Sequence, residues 1–381
     1  IPLRLVGSEM CIRDRYYAVI ILFIGKYILK YRKSLWHENK KYFLPFKKIE
    51  KVFHHMKTKI IYVLVSNEND CYLEQALVSI YSLRLYNPDA NLLLLVDEET
   101  SRTLENGIRK LILNYVSKLV IVDVPFHYSK QQKSRYIKTS LRSQVIGDFL
   151  FIDCDTIINE ELKDIDNLSC EIAAVPDCHL SIKYSWMKTN IKKWSSVLGW
   201  KYSENDFYFN SGVLFVKDTD DTHQFYEYWH SLWRKNVLKG INYDQPSLAK
   251  ANELMGCKIC KLDDIWNCQI NANGLPFLSK AKIIHYFASG MGAKSYVPYK
   301  FLDKKIFCRI KYEGFLSDEI KLMIRNSKSA FNPFCTVIGY DDARFLCSST
   351  YGLYIKYPNA YKIINVMSRM FLFLLRFFLK K

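Results

Sequence analysis

Residues 148–158 read DFLFIDCDTII, an apolar run of four residues that ends in Asp153-Cys154-Asp155. A short run with no polar alternation is the pattern of a strand buried on both faces, as in a parallel sheet covered by helices. Upstream the same pattern recurs in KIIYVLV (59–65), NLLLLVD (91–97) and KLVIVDV (118–124). Between these runs, helical spacing predicts helices over Tyr72–Tyr86, Glu98–Tyr115 and Ser129–Ile146, the first stopped by Asn87-Pro88. The order β-α-β-α-β-α-β implies a doubly wound α/β domain, whose sites lie beyond the C-terminal ends of the strands. Three such ends carry polar groups: Ser66 with Asn67, Asp97, and Asp153 with Asp155.

Two carboxylates one residue apart, just past a buried strand, can converge on one hard divalent cation because the turn releases the alternation of the strand. Asp-x-Asp alone is common at strand ends, so its surroundings carry the argument. Arg135 and Lys138, at i and i+3 on the helix leading into this strand, are candidates to point cations at a diphosphate. Downstream, EIAAVPD (171–177), YFNSGVLFVKD (208–218) and KIIHYF (282–287) read as further strands, with helices near Thr222–Val237 and Gln245–Leu254. The second strand sets Asn210, Ser211 and Gly212 into an apolar run, and Asn242-Tyr243-Asp244-Gln245-Pro246 opens the last helix. His285 stands in an apolar strand before a basic loop with Gly290, Gly292 and Lys294, where it is either a hydrogen-bonded core residue or a ligand. Cys257 and Cys260 form one C-x-x-C without a second pair at ligand spacing, and are expected as buried thiols on a strand.

The chain of 381 residues has a formal charge of +17, but the excess is not spread over it. Residues 1–60 carry +10 and residues 345–381 carry +6, which leaves +1 for 61–344. A neutral body speaks against a nucleic-acid-binding domain, which shows a basic footprint on its fold, and no nucleic-acid partner is expected. Residues 1–15 have no periodicity and are set aside as an artefact or a disordered leader. Tyr16–Leu29 is apolar, interrupted by Lys26, and shorter than the roughly 20 residues a spanning helix needs. Near the other end Lys362, Arg369 and Arg376 recur every seven residues among apolar side chains, with no acidic residue after Asp342. That pattern predicts a basic amphipathic helix over 359–381 that lies on an anionic membrane surface or packs on the domain core. If 16–29 is a short anchor rather than a helix lying at the interface, the basic residues after it place the body at the cytoplasmic face. Eleven scattered cysteines, an odd number, do not form a secreted disulfide framework.

Taken in order, SNENDCYLEQALVSIYSL, SRYIKT, FLFIDCDTII, FNSGVLFV, DQP, Trp266-Asn267 and IIHYFASG resemble the retaining glycosyltransferases of the glycogenin and lipopolysaccharide galactosyltransferase type. The resemblance covers roughly residues 58–297. It implies a GT-A fold, a Rossmann-like doubly wound mixed sheet with helices on both faces, to which the chain adds terminal basic amphipathic helices. It also implies transfer of a hexosyl group from a nucleoside diphosphate sugar, usually UDP-linked, with Mn²⁺ or Mg²⁺ as cofactor, to a glycan or lipid-linked acceptor. Carried over by position, Asp153, Asp155 and His285 fall on the metal ligands, Asp153 and Cys154 also near the ribose, and Val65, Ser66 and Asn67 beside the base and ribose. Arg135 falls where a basic residue meets the donor, and Asn210, Asp244 and Gln245 where the transferred sugar is lined.

Two departures stand out. The common His-x-x-Gly-x-x-Lys-Pro-Trp reads HYFASGMGAKSY here, which leaves Lys294 as a spaced match to the diphosphate ligand; Asp-Gln-Asp reads Asp244-Gln245-Pro246, which leaves the sugar-facing group open between Asp244 and Gln245. An inverting GT-A transferase with Asp244 as base, or a catalytically silent binding protein of the same fold, are the alternatives. The expected organisation is a membrane-proximal segment (16–56), a transferase domain (57–300), an extension (301–358) and the terminal helix. Sugar, acceptor and oligomeric state are left open.

Overall fold

The computed structural model describes residues 56–105, 107–287, 299–331 and 348–378; residues 1–15, the apolar stretch 16–29, and Lys294 with its loop lie outside them. Ten strands run in chain order: β1 (Lys59–Leu64), β2 (Leu92–Val96), β3 (Lys118–Ile121), β4 (Phe149–Ile152), β5 (Thr156–Ile158), β6 (Ile172–Ser181), β7 (Phe207–Val216), β8 (Ile259–Lys261), β9 (Cys268–Gln269) and β10 (Ile283–His285). Seven form one sheet in the order β3-β2-β1-β4-β7-β6-β8. The first four are parallel, β7 is antiparallel to β4 and to β6, and β8 is parallel to β6. This is the mixed α/β sheet of the GT-A architecture expected from the sequence.

The strands lack polar alternation because both faces are covered. In β1, Ile60, Tyr62 and Leu64 pack on one side with Leu73, Ala76 and Ile80, while Ile61 and Val63 pack on the other with Ile137, Leu141 and Trp229. The first set comes from α1 (Tyr72–Tyr86), whose bounds match the reading of its periodicity. The expected helix 98–115 is instead α2 (Glu98–Thr103), capped by Asp97, then a 3₁₀ segment Gly107–Tyr115; Gly107 at φ 61° cannot continue an α-helix. The expected helix 129–146 divides into α3 (Lys130–Thr139), opened by the reciprocal Ser129–Gln132 cap, and α4 (Leu141–Gln144). The division falls at Ser140, whose hydroxyl donates back to the carbonyls of Tyr136 and Ile137. Next come α5 (Lys188–Leu198), α6 (Asp220–Val237) and α7 (Gln245–Leu254).

The strand read at 282–287 does not join the main sheet. It is β10 of a second sheet, ordered β5-β10-β9, antiparallel to β5 and parallel to β9. Its register pairs His285 with Thr156 and Ile284 with Ile157, which sets His285 beside the residue that follows Asp155. Residues after 298 build on this sheet: Phe301, Phe307 of α8 (Lys304–Glu313) and Ile320 and Ile324 of α9 (Asp318–Arg325) share a core with Ile157, Ile284 and Tyr286. The chain then forms α10 (Ser349–Lys356) and the 21-residue α11 (Pro358–Phe378). The expectation for the C-x-x-C fails, because Cys257 and Cys260 are both exposed. Cys257 sits at φ 61° after Gly256 and Cys260 on the solvent side of β8.

Candidate active site beyond the fourth strand

Because β4 and β6 run the same way and β7 runs opposite, the ends of β4 and β6 and the start of β7 share one rim of the sheet. The Asp153 amide donates to the Gly212 carbonyl at 2.8 Å, which locks the turn after β4 to β7. The Tyr286 amide donates to the Asp155 carbonyl at 3.0 Å, which locks the same turn to the second sheet. Between these anchors, one ligand atom each from Asp153, Asp155 and His285 lies within 4.8 Å of the other two. The His285 Nε2 is 3.2 Å from Asp155 Oδ1, yet it is buried and among the described residues makes no hydrogen bond. Orphaned buried nitrogens are rare, and two carboxylates with an imidazole nitrogen are a donor set for a divalent cation such as Mn²⁺. The residues present therefore fit the metal.

Gly212 makes room for this arrangement. A Cβ there would stand 2.4 Å from His285 Cε1 and 2.9 Å from both Asp153 Oδ2 and Asn210 Oδ1. The backbone of β7 thus approaches His285, Asp153 and Asn210 more closely than any side chain allows.

A second carboxylate centre adjoins the first. Asp244, next to the start of α7, lies 3.1 Å from Arg135 Nε and 3.1 Å from Lys138 Nζ, and accepts from the Ser211 hydroxyl at 2.7 Å. Burial pushes its carboxyl up, but Lys138 and Arg135 outweigh burial and hold it well below the usual carboxylate range. Lys138, with only 1% of its side chain exposed, also reaches Asp153 Oδ1 at 3.4 Å. Its ammonium is thus fixed between two carboxylates, so the expectation that it aims freely at a diphosphate does not hold. Burial pushes the Asp153 carboxyl up, with Asp155 adding to the rise and Lys138 opposing it. For Asp155 burial also acts upward, but the His285 ring beside it outweighs burial and pulls the carboxyl below its ordinary value. Cys154, between the two, points away: its thiol donates to the Val63 carbonyl at 3.3 Å, and burial pushes its pKa up.

Polar side chains continue from the triad along the rim. Asn267 is within 3.0 Å of His285 Nδ1 and within 3.0 Å of Asn210 Oδ1. Asn210 Nδ2 donates to Asp177 at 2.8 Å, and Gln245 Nε2 to the Phe209 carbonyl at 3.2 Å and to Asp177 at 3.4 Å. Asp177, Ser211 and Asn267 were not singled out in the sequence as site residues, although Asp177 ends an apolar run just as Asp153 does. After Asp177 the backbone turns through two non-glycine residues in the left-handed region, Cys178 at φ 59° and His179 at φ 60°. Each costs on the order of 1–3 kcal/mol. They are held by Gln269, which accepts from the Cys178 amide at 2.9 Å, and by Asp264, 2.7 Å from His179.

Beyond β1 the loop is organised internally. Asp70 accepts from the Ser66 hydroxyl at 2.6 Å and the Asn67 amide at 3.0 Å, and pairs with Lys130 at 2.9 Å. Arg109 grips the same loop at the Asn67 carbonyl, 3.2 Å, and the Ser66 hydroxyl, 3.1 Å. Val65 and Ser66 are buried, so Asn67 is the more open of the three expected base and ribose neighbours.

A family model described as Glycosyl transferase family 8 matches residues 61–294. No curated protein matches the chain. Among solved structures, the chain is similar to the WbbM bifunctional glycosyltransferase in its apo form, at 17% identity and TM-score 0.46, over 72% of this chain and 52% of that one. The match thus spans about half of that protein. Similarity extends to the galactosyltransferase LgtC bound to donor and acceptor sugar analogues, at 15% identity and TM-score 0.45, over 69% of this chain and 99% of that one. It also extends to the glycosyltransferase GlyE of Streptococcus pneumoniae TIGR4, at 17% identity and TM-score 0.43, over 73% and 65% of the two chains.

Proposed function

Because this chain belongs to glycosyl transferase family 8, we propose that it moves a hexosyl group from a UDP-sugar to a glycan or lipid-linked acceptor with retention, using Mn²⁺ or Mg²⁺. The observation that carries the metal reading is the buried Nε2 of His285, without a hydrogen bond among the described residues, set against Asp155 and Asp153. In this reading Asp153, Asp155 and His285 hold the cation, which when bound offsets the negative charge that grows on the diphosphate leaving group. Asn67 meets the base or ribose, and Asn210, Asp177 and Gln245 line the sugar. Arg135 adds positive charge at the donor while pairing with Asp244. Asp244 also supports retention over the inverting alternative. Its oxygens are bound by Lys138, Ser211 and Arg135, and its pKa is far below that of a useful general base. With no free base from Asp244, the acceptor attacks from the face the diphosphate leaves, and the departing phosphate oxygen takes its proton. A screen of nucleotide sugars with Mn²⁺, followed by NMR of the product anomer, tests this reading. Turnover of a UDP-sugar to a retained product is expected; no turnover of any nucleotide sugar, or an inverted product, would overturn it.

The same reading places the enzyme on the cytoplasmic face of an anionic membrane. In α11 the side chains of Ile363, Met367, Phe371 and Phe373 are 62–70% exposed, and Lys362 and Arg369 lie seven residues apart among them. Among the described residues no helix is long and apolar enough to cross a membrane. A basic, apolar, uncovered helix fits the headgroup interface. Removal of residues 359–381 is expected to release much of the protein from phosphatidylserine-containing liposomes in a sedimentation assay, and unchanged sedimentation would remove this part of the reading.

A further inference from the structure

We propose that Asn267 is a positioning residue that sets the tautomer of His285 and thereby aims its Nε2 lone pair at the metal site. The inference rests on the metal reading above only for its second readout. The argument starts from a group whose polarity is beyond choice, the backbone N–H of Gly212, which can only donate. Its partner on Asn210, 2.9 Å away, must therefore be the amide oxygen Oδ1. The other Asn210 atom is then Nδ2, which agrees with its 2.8 Å contact to the Asp177 carboxylate. An Asn267 atom lies 3.0 Å from that same Asn210 Oδ1 and must donate to it, so it is Nδ2. What remains of the Asn267 amide is its oxygen, 3.0 Å from His285 Nδ1. Nδ1 therefore carries the proton, and in the neutral ring Nε2 is left with its lone pair, buried, without a hydrogen bond among the described residues and 3.2 Å from Asp155 Oδ1. A ring nitrogen aimed in this way by its opposite N–H is the form a metal-binding histidine requires.

Asn267 is well held for this task. It is fully buried at the end of the 3₁₀ turn Asp264–Asn267, which Asp263 caps by accepting from the Ile265 amide at 3.1 Å. The next residues, Cys268 and Gln269, pair directly with Ile284 and His285. One hydrogen-bonded line thus runs from the His285 ring through Asn267 and Asn210 to Asp177.

The test uses the full chain as wild type, Asn267→Ala, Asn267→Asp and Asp155→Ala. Imidazole ¹⁵N shifts of the metal-free proteins, recorded near pH 8, report the tautomer. The Nδ1–H form is expected in wild type and in Asn267→Asp, whose carboxylate still accepts from Nδ1–H, whereas Asn267→Ala should move towards Nε2–H. Mn²⁺ binding followed by electron paramagnetic resonance should weaken about 10- to 100-fold in Asn267→Ala, the usual loss for a residue that orients a ligand. Rescue by Asn267→Asp is expected to within about threefold of wild type. An unchanged tautomer in Asn267→Ala would overturn the proposal, as would equal weakening in both Asn267 variants. If wild type and Asp155→Ala bind Mn²⁺ alike, the metal reading fails, while the ¹⁵N shifts still decide what Asn267 does to His285.

Discussion

Asp244 and Asp153 share one cleft and one lysine, yet their surroundings act on them in opposite directions. Asp244 has Lys138, Arg135 and the Ser211 hydroxyl, and its charge is held firmly in place. Among the described residues Asp153 has one ion pair, the longer contact to Lys138, with more distant Arg135 and His285, Asp155 as a like-charged neighbour and a pKa raised chiefly by burial. A compensated carboxylate is part of the framework, because removing it strands the cations around it. An undercompensated pair is unstable by itself and is satisfied when a cation arrives from outside. The same residue type at two strand or helix ends is thus a structural hub in one place and, in the proposed function, a ligand in the other.

Breaking the hub should have the larger effect on folding. Asp244→Ala is expected to lower stability by about 3–5 kcal/mol, since it leaves the 1%-exposed Lys138 short of its partner. Urea unfolding checks this, and the metal-free Asp153→Asn protein, which loses a charge that burial disfavours, should unfold at an equal or higher urea midpoint. A lower midpoint for Asp153→Asn than for Asp244→Ala would reverse the comparison. On activity the order inverts: Asp155→Ala should cut Mn²⁺-dependent UDP-sugar turnover more than about a hundredfold while the metal-free protein melts as wild type does. Near-normal turnover would remove the metal from the reading.

Gly212→Ala sharpens the contrast by pressing on the ligand side alone. Its Cβ would meet His285 Cε1 at 2.4 Å, so a loss of about 1–3 kcal/mol in stability is expected with a tenfold or greater loss of Mn²⁺ affinity in the same titration. The smallest effect concerns acid. Asp244 has a folded pKa depressed below its ordinary 3.8, so its contribution is present above that value and is lost as pH falls from there towards the folded pKa. Below about pH 4 the wild-type urea midpoint should fall more steeply than that of Asp244→Asn. Parallel acid limbs would show that Asp244 is not held by its cations.

Much of the cleft was legible along the chain. Apolar runs 59–65, 91–97 and 148–153 name the central strands because burial on both faces leaves no polar alternation, and Asp153-Cys154-Asp155 stands where such strands deliver their chemistry. His285 was visible as a polar residue in an apolar strand, but its sheet was not, since β5 and β9 have only three and two residues and no period to read. Asn267 was visible only as one residue of a resemblance. The helix breaks at Gly107 and Ser140 carried local signals, a left-handed glycine and a back-bonding serine, that periodicity alone passes over.

The sequence by itself determined the central strand pattern, the first helix, the paired carboxylates and the uneven placing of charge, because each of these is written in residues a few positions apart. Only the tertiary structure decided which carboxylate is compensated, that Lys138 is committed between Asp153 and Asp244, and that Asn267 and Asp177 belong to the site. Those outcomes depend on distances between residues 33 or 57 positions apart in the chain, as in Asp177 to Asn210 and Asn210 to Asn267. Burial and electrostatic compensation are sums over neighbours in space, and no pattern along the chain contains them.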